Sequence, residues 1–180
     1  MSKTLLKEVF QAGTHLWRVR EAEKADLDTL YRLYQRIGEN DAFNEQLSRG
    51  EFRTLFGEIQ QDPDKHQYLL VDDKSTVAGM IELLYVSDRK LKDNPTLGEE
   101  NRYNTIIEFI GIDPAFQGQR LSSHLLQHAL IYARQHQSPS VRVDVHRKNR
   151  RAVALYESAG FERIGEHKTI EMLKLAYDLQ

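Results

Sequence analysis

Apolar residues recur along this chain with two spacings, and the change from one to the other marks the elements. "HLWRVREA" (His15 to Ala22) alternates as a half-buried strand does. "EKADLDTLYRLYQRI" then places Leu27, Leu30, Tyr31, Leu33, Tyr34 and Ile37 at helical spacing. A second helix is predicted over Glu45 to Gln61, with Leu47, Phe52, Leu55, Phe56 and Ile59 inward, and "DPDK" (Asp62 to Lys65) is a turn signal. "QYLLVDD", "TVAGMIELLYV" and "NTIIEFIGI" are rich in β-branched and aromatic residues and read as three strands. A helix follows from Gln119 to His136. Ser140 to Val145 is the next strand, and Asn149 to Ala159 the last helix. Gly160 stands where a helix-ending glycine belongs. "FERIGEH" and "TIEMLKLAYDL" make a final strand pair.

The predicted order is β-α-α-β-β-β-α-β-α-β-β, an α/β fold with a mixed sheet and helices packed on it. Residues 1–14 read as an N-terminal extension and 15–180 as one domain. The connection Ser87 to Tyr103 is long for neighbouring strands, and loops of that length are usually functional or disordered.

Composition narrows the function classes. A net charge of −2 argues against bulk attraction to nucleic acid or membrane. No apolar stretch is long enough to span a bilayer, and the N-terminus lacks the apolar core of a signal peptide, so a cytoplasmic location is expected. The absence of cysteine removes disulfides, thiolate metal ligands and a cysteine nucleophile together.

Two segments stand out chemically. "AFQGQRLSSHLL" (Ala115 to Leu126) joins a strand to a helix, where free backbone N–H groups often hold phosphate. It has one glycine, Gly118, and a bulky Arg120 close behind. "VDVHRKNRRAVALYESAGFERIG" (Val143 to Gly165) ends a strand, turns, and forms an amphipathic helix closed by Gly-Phe. Spacing alone also fits a capped helix that packs a tyrosine on a sheet, with Asn149 as its cap.

The run from Asn149 through Ala152 and Leu155-Tyr156 to Gly160-Phe161 resembles the second signature of the GNAT superfamily, the acyl-CoA-dependent N-acyltransferases. "Q-G-Q-R-L-S" occupies the place of the first signature, Gln/Arg-x-x-Gly-x-Gly/Ala. Gln117 matches its first residue, Arg120 its glycine and Ser122 its final Gly/Ala, so the last two are departures. The resemblance implies a GNAT-like mixed central sheet with helices on both faces. It also implies a turn, Gln117, Gly118, Gln119, Arg120, Leu121, Ser122 and Ser123, that holds the pyrophosphate of acetyl-CoA as co-substrate. If the glycine position needs a positive φ, Arg120 is strained by roughly 1–2 kcal/mol. The running helical pattern of Leu121, Leu125, Leu126 and Ala129 instead predicts that Arg120 is already helical, where it adds a cation near the phosphates.

Ile110, Gly111 and Ile112 match the segment whose backbone pairs with the pantetheine arm, and Asn149 a position that contacts the cofactor. That pairing demands an edge left open by two splayed parallel strands. Gly111 itself fits a bulge, a close approach or simple core packing. Tyr156 matches the family tyrosine that donates to the departing thiolate; a phenol of pKa about 10 suits a thiolate of about 8.5. Glu108 stands where some members carry an acid that helps deprotonate the amine, only about a thousandth of which is neutral at neutral pH. A core tyrosine and a structural carboxylate are the plain alternatives.

The implied reaction is direct transfer of an acetyl group to a primary amine through a tetrahedral intermediate, with a backbone N–H near Ile110 facing the oxyanion. The acceptor, a small molecule or a peptide amine, would lie between Asp26–Gln61 and the Ser87–Tyr103 loop. Homodimers are common in the family. A non-catalytic acyl-CoA-binding module of the same fold is the main alternative. A nucleic-acid-binding protein using Arg147, Lys148, Arg150 and Arg151 is a weaker one. His124 and His128 have a metal-like spacing but fall at the polar edge of their helix, so they are expected to be solvated, with no metal bound.

Overall fold

The computed structural model describes residues 9–39, 42–43, 46–62, 66–85, 105–167 and 171–179. The Ser87–Tyr103 connection lies outside them. The first strand pair is β1 (Val9–Ala12) and β2 (His15–Glu21), joined at Gly13. The alternation that starts at His15 does not reach β1, which falls within the N-terminal extension. Four residues at the margin of a sheet, half of them exposed, give too short a pattern to register.

Two helices follow, α1 (Leu27–Gly38) and α2 (Arg49–Gln61). Helix α2 starts later than its apolar pattern predicts, because Ser48 caps it. Glu51 N donates to Ser48 Oγ at 3.3 Å, and Ser48 N donates to Glu51 Oε2 at 2.8 Å. Strands β3 (His66–Asp72), β4 (Val77–Tyr85) and β5 (Thr105–Ile112) continue the sheet from β2, each antiparallel to the strand before it. Then come α3 (Leu121–Gln135), β6 (Ser140–His146), α4 (Arg150–Ser158), β7 (Glu162–Glu166) and β8 (Met172–Asp178).

Among the described residues the sheet has eight strands in the order β1-β2-β3-β4-β5-β6-β8-β7. Of the pairs among the described residues, only β5–β6 is parallel. Both faces are covered, which is why β3 and β4 read as unbroken apolar runs rather than alternations. Leu69, Val71, Ile81 and Leu83 face α3 and α4 in one core, with Leu125, Ala129, Val153 and Tyr156. Tyr68, Leu70 and Met80 face α1 and α2 in the other, with Leu30, Leu33, Phe52 and Ile59.

Strand β5 changes sides partway. Its register against β4 steps from Glu82–Phe109 to Leu83–Ile107, which leaves Glu108 as the extra residue of a β-bulge. Ile107 therefore joins the α3 core while Phe109, two residues on, packs on the α1–α2 core. Past the bulge Ile110 and Ile112 face the α3 side.

Candidate active site

Strands β5 and β6 hold together only at Thr105–Val141, Ile106–Arg142 and Ile107–Val143. Beyond those pairs the two strands part. Ile110, Gly111 and Ile112 stay paired to β4, through Ile81, Met80 and Gly79, and their other edge is open. A groove of about 820 Å³ occupies this opening. Ile110–Ile112 line it, facing Lys148–Ala152 and Leu155 at the start of α4. Phe116, Gln117, Gly118, Arg120, Leu121 and Ser122 close one end, and Ile37, Ala42 and Phe43 complete the wall.

The turn at the groove's end is held from below. Asp113 accepts from Ala115 N at 3.0 Å and from Arg36 Nε at 2.8 Å, which ties the turn to α1. Gly118 has φ +83°, open to glycine without strain. Arg120 does not continue a helix backwards, as its neighbours' spacing predicts. It is the residue before α3, in the left-handed region with φ 58° and ψ 21°. The apolar pattern sees side-chain phase and is blind to the one residue that turns the chain into the helix. A left-handed arginine costs roughly 1–2 kcal/mol against glycine, so the strained alternative is the one realised.

The consequence is local and electrostatic. The helix begins after Arg120, and its first N–H groups, on Leu121 and Ser122, have no acceptor within the helix and border the groove. The Arg120 side chain borders it too and has no ion pair among the described residues. Two residues of the predicted turn lie elsewhere. Gln119 packs under the β1–β2 turn, its Oε1 only 3.1 Å from where a Cβ on Gly13 would stand, and that oxygen is buried without a hydrogen-bond partner among the described residues. Ser123 does not line the groove; its N–H donates to the Arg120 carbonyl at 3.1 Å.

Asn149 is both a helix cap and a groove residue. Its Oδ1 accepts from Ala152 N at 3.2 Å, capping α4, and it borders the groove. The basic run divides. Arg147 pairs with Glu166 at 2.8 Å and Lys148 with Glu171 at 2.7 Å, whereas Arg150 and Arg151 have no such carboxylate among the described residues.

Tyr156 lies in the core beside Val153 and Phe161, 3% exposed and outside the groove lining. Burial pushes its phenol well above its usual range. Glu108, the bulge residue, is exposed by surface area yet partly desolvated by the protein around it. That partial desolvation, followed by the nearby Glu82 carboxylate, raises its carboxyl above the ordinary range, while His66 opposes the shift.

These neighbours form a polar cluster that periodicity did not reveal. Glu82 on β4 contacts His66 Nε2 at 2.6 Å and accepts from the Tyr68 hydroxyl at 3.1 Å. Asp144 on β6 accepts from Arg142 Nη2 at 2.9 Å and contacts His167 Nε2 at 3.0 Å. Glu82, Glu108 and Asp144 thus stand on three adjacent strands. The available signal was the charge inside the apolar run "VAGMIELLYV", which a buried strand tolerates only when it is partnered.

His128 corrects another expectation. It is buried, not solvated, with Nδ1 2.8 Å from the His124 carbonyl oxygen, and His124 stacks on Phe10 at 3.7 Å. Phe10 of β1 thus lies over the edge of α3 that carries His124. Among the described residues no group of three or more acidic, histidine or cysteine side chains is arranged to hold a metal ion.

The sequence pattern of the Acetyltransferase (GNAT) family matches residues 27–161. The chain belongs to this family. Within the GNAT family it is 38% identical over 69 residues to the N-alpha-acetyltransferase RimI of Mycobacterium tuberculosis. That stretch is 38% of this chain and 42% of the relative, so the match spans less than half of that protein. Solved GNAT structures share the fold at low identity. One is yncA of Salmonella typhimurium, with its cofactor acetyl-CoA (TM-score 0.71, 16% identity, 91% of this chain and 94% of that one). Another is spermidine N-acetyltransferase from Vibrio cholerae with CoA and spermine (TM-score 0.69, 21% identity, 90% and 95%).

Proposed function

We propose that this chain is an N-acetyltransferase that moves an acetyl group from acetyl-CoA to a primary amine. The observation that carries this reading is the open edge of Ile110–Ile112 facing a groove that ends in the Gln117–Ser122 turn. The site residues fit such a donor. An unpaired strand edge offers N–H and C=O groups to the amides of a pantetheine arm. The turn offers helix-start N–H groups and an arginine to a pyrophosphate.

The chemistry assigned to the side chains follows from their surroundings. Direct attack of a neutral amine on the thioester carbonyl needs a proton acceptor at the amine. Glu108, with its raised pKa, is better matched to that task than an ordinary carboxylate. The backbone N–H near Ile110 stabilises the oxyanion. Tyr156, one residue past groove-lining Leu155, stays protonated and supplies a proton to the departing thiolate. The acidic cluster of Glu82, Glu108 and Asp144 favours a cationic amine, held between α1–α2 and the central strands.

The position of Tyr156 in the core, outside the groove lining, favours a second reading, a binding module that holds acyl-CoA without transfer. Two measurements separate the readings. Acetyl-CoA is expected to raise the melting temperature, and no shift at millimolar ligand overturns both. A panel of amines assayed by CoA release is expected to yield acceptors; ligand binding without release on any amine supports the binding module.

A further inference from the structure

Transfer of an acetyl group from acetyl-CoA to an alkylammonium yields an amide, a thiol and one free proton. A base that serves the amine must therefore take a proton and let it go again in every turnover. Glu108 has no hydrogen bond or ion pair among the described residues, so its hold on a proton is set by what surrounds it.

The two neighbouring carboxylates are not alike. On the β6 side, Asp144 is held by Arg142, whose Nη2 lies 3.1 and 2.9 Å from its two oxygens, and by His167. A guanidinium is charged at every working pH, so Asp144 is always compensated. On the β4 side, Glu82 has no such permanent cation among the described residues. Tyr68 stands opposite it on β3, and His66 two residues earlier on the same strand. His66 Nε2 lies 2.6 Å from one carboxylate oxygen and the Tyr68 hydroxyl donates to the other at 3.1 Å, so both oxygens are engaged. Burial, and then the Glu82 charge, push the Tyr68 phenol far above its usual range, so it stays a neutral donor. Tyr34 of α1 and Phe52 and Phe56 of α2 lie against Tyr68 and bring no cation. The net charge of this group is thus decided by His66. Histidine is the side chain that changes charge between about pH 5 and 8. His66 keeps 20% of its side-chain surface in solvent, from which a proton can reach it.

We infer that His66 is a positioning residue of the transfer: it fixes Glu82 beside Glu108 and, by taking up or giving up a proton, sets how firmly Glu108 holds the proton of the amine. This rests on the acetyltransfer reading above. With His66 neutral, the Glu82 charge is uncompensated and Glu108 draws the proton strongly. With His66 charged, the pair is neutral and Glu108 lets the proton go. In keeping with this, Glu82 is second to desolvation in raising the Glu108 carboxyl, and His66 acts against both.

The side-chain carboxyl resonance of Glu108, followed by NMR across pH in the full chain and assigned by its loss in E108Q, tests this without any ligand. In the parent it is expected to show a second step that coincides with the ring titration of His66. H66Q removes the compensating charge but keeps a donor to Glu82, and the Glu108 midpoint is expected to rise by on the order of one pH unit, the effect of one charge on a neighbouring strand. In E82Q it is expected to fall by a similar amount. The acidic limb of kcat/KM for an accepted amine is expected to move in the same two directions. A merely structural role would lower both rates and displace neither limb, and melting temperatures verify that both variants fold. A parent without the second step overturns the role of His66. So do midpoints that coincide in the three proteins or move the same way in both variants, and rate limbs that stay fixed while the midpoints move. No transfer by the parent to any amine overturns the acetyltransfer reading itself, a result distinct from the others because the midpoints are read without substrate.

Discussion

Gly111 on β5 lies directly against Ile37 at the end of α1. A Cβ on Gly111 would stand 2.7 Å from Ile37 Cγ2 and 3.0 Å from Phe109 Cζ. Both residues line the groove beside the open edge, so the spacing of α1 above β5 sets the width of the site there. Gly111→Ala is expected to lower stability by roughly 1–3 kcal/mol through overpacking, and to weaken acetyl-CoA as Ile37 is displaced. Ile37→Val in the same chain should recover part of both. Urea melts and calorimetry of the single and double variants check this; an alanine variant of unchanged stability shows that the contact is not limiting.

Arg120→Gly should separate backbone strain from ligand binding. Glycine relieves the left-handed conformation and should raise stability by about 1 kcal/mol, less the entropy that glycine adds to the unfolded chain. The same change removes a groove cation and should weaken CoA, roughly tenfold if the guanidinium bonds a phosphate. Tighter binding by the glycine variant would mean that arginine obstructs the turn rather than serving it.

Glu108→Gln should act in opposite directions on stability and on rate. The carboxyl is raised in the folded chain by desolvation and then by Glu82, so the folded state holds its proton to higher pH than the unfolded state does. The charged form at neutral pH is thus a burden, absent below the unfolded pKa. Glutamine is expected to be the more stable variant at neutral pH, with the difference vanishing towards about pH 4. Its rate should be lowest relative to the parent at neutral pH and recover towards about pH 9–10, where more amine is neutral. A pH–rate profile parallel to that of the parent would assign Glu108 to positioning or structure.

Tyr156→Phe keeps the buried ring and its packing on Phe161 and removes only the hydroxyl. It is expected to lower kcat by roughly 10²–10⁴-fold while acetyl-CoA affinity stays nearly constant. Full activity of the phenylalanine variant, measured by single-turnover transfer to any accepted amine, would make Tyr156 a core residue alone.

The parts of this architecture that depend on near neighbours in the chain were open to sequence reading. The α1 face through Leu30, Leu33 and Ile37 follows from helical spacing, and strands β3 to β6 from their β-branched runs. From β2 onward the order of elements followed. What escaped depends on partners far away in sequence or on single torsions. The left-handed Arg120 leaves the pattern on either side unchanged. The Glu82–His66–Tyr68 contacts join two strands, and the stacking of Phe10 on His124 needs a β1 strand too short to announce itself. Gly111 had three readings, and only the nearness of Ile37 selects close approach.

The extra residue at Glu108 lets β5 carry a carboxylate there without disturbing the faces on either side. Deleting Glu108 would leave Ile107 and Phe109 as successive residues opposite Leu83 and Glu82, and so on opposite faces, as they are now. Ile110 and Ile112 would stay on the α3 side and Gly111 beneath Ile37. A single-codon loss at the bulge would remove one carboxylate and keep the inside and outside of the site.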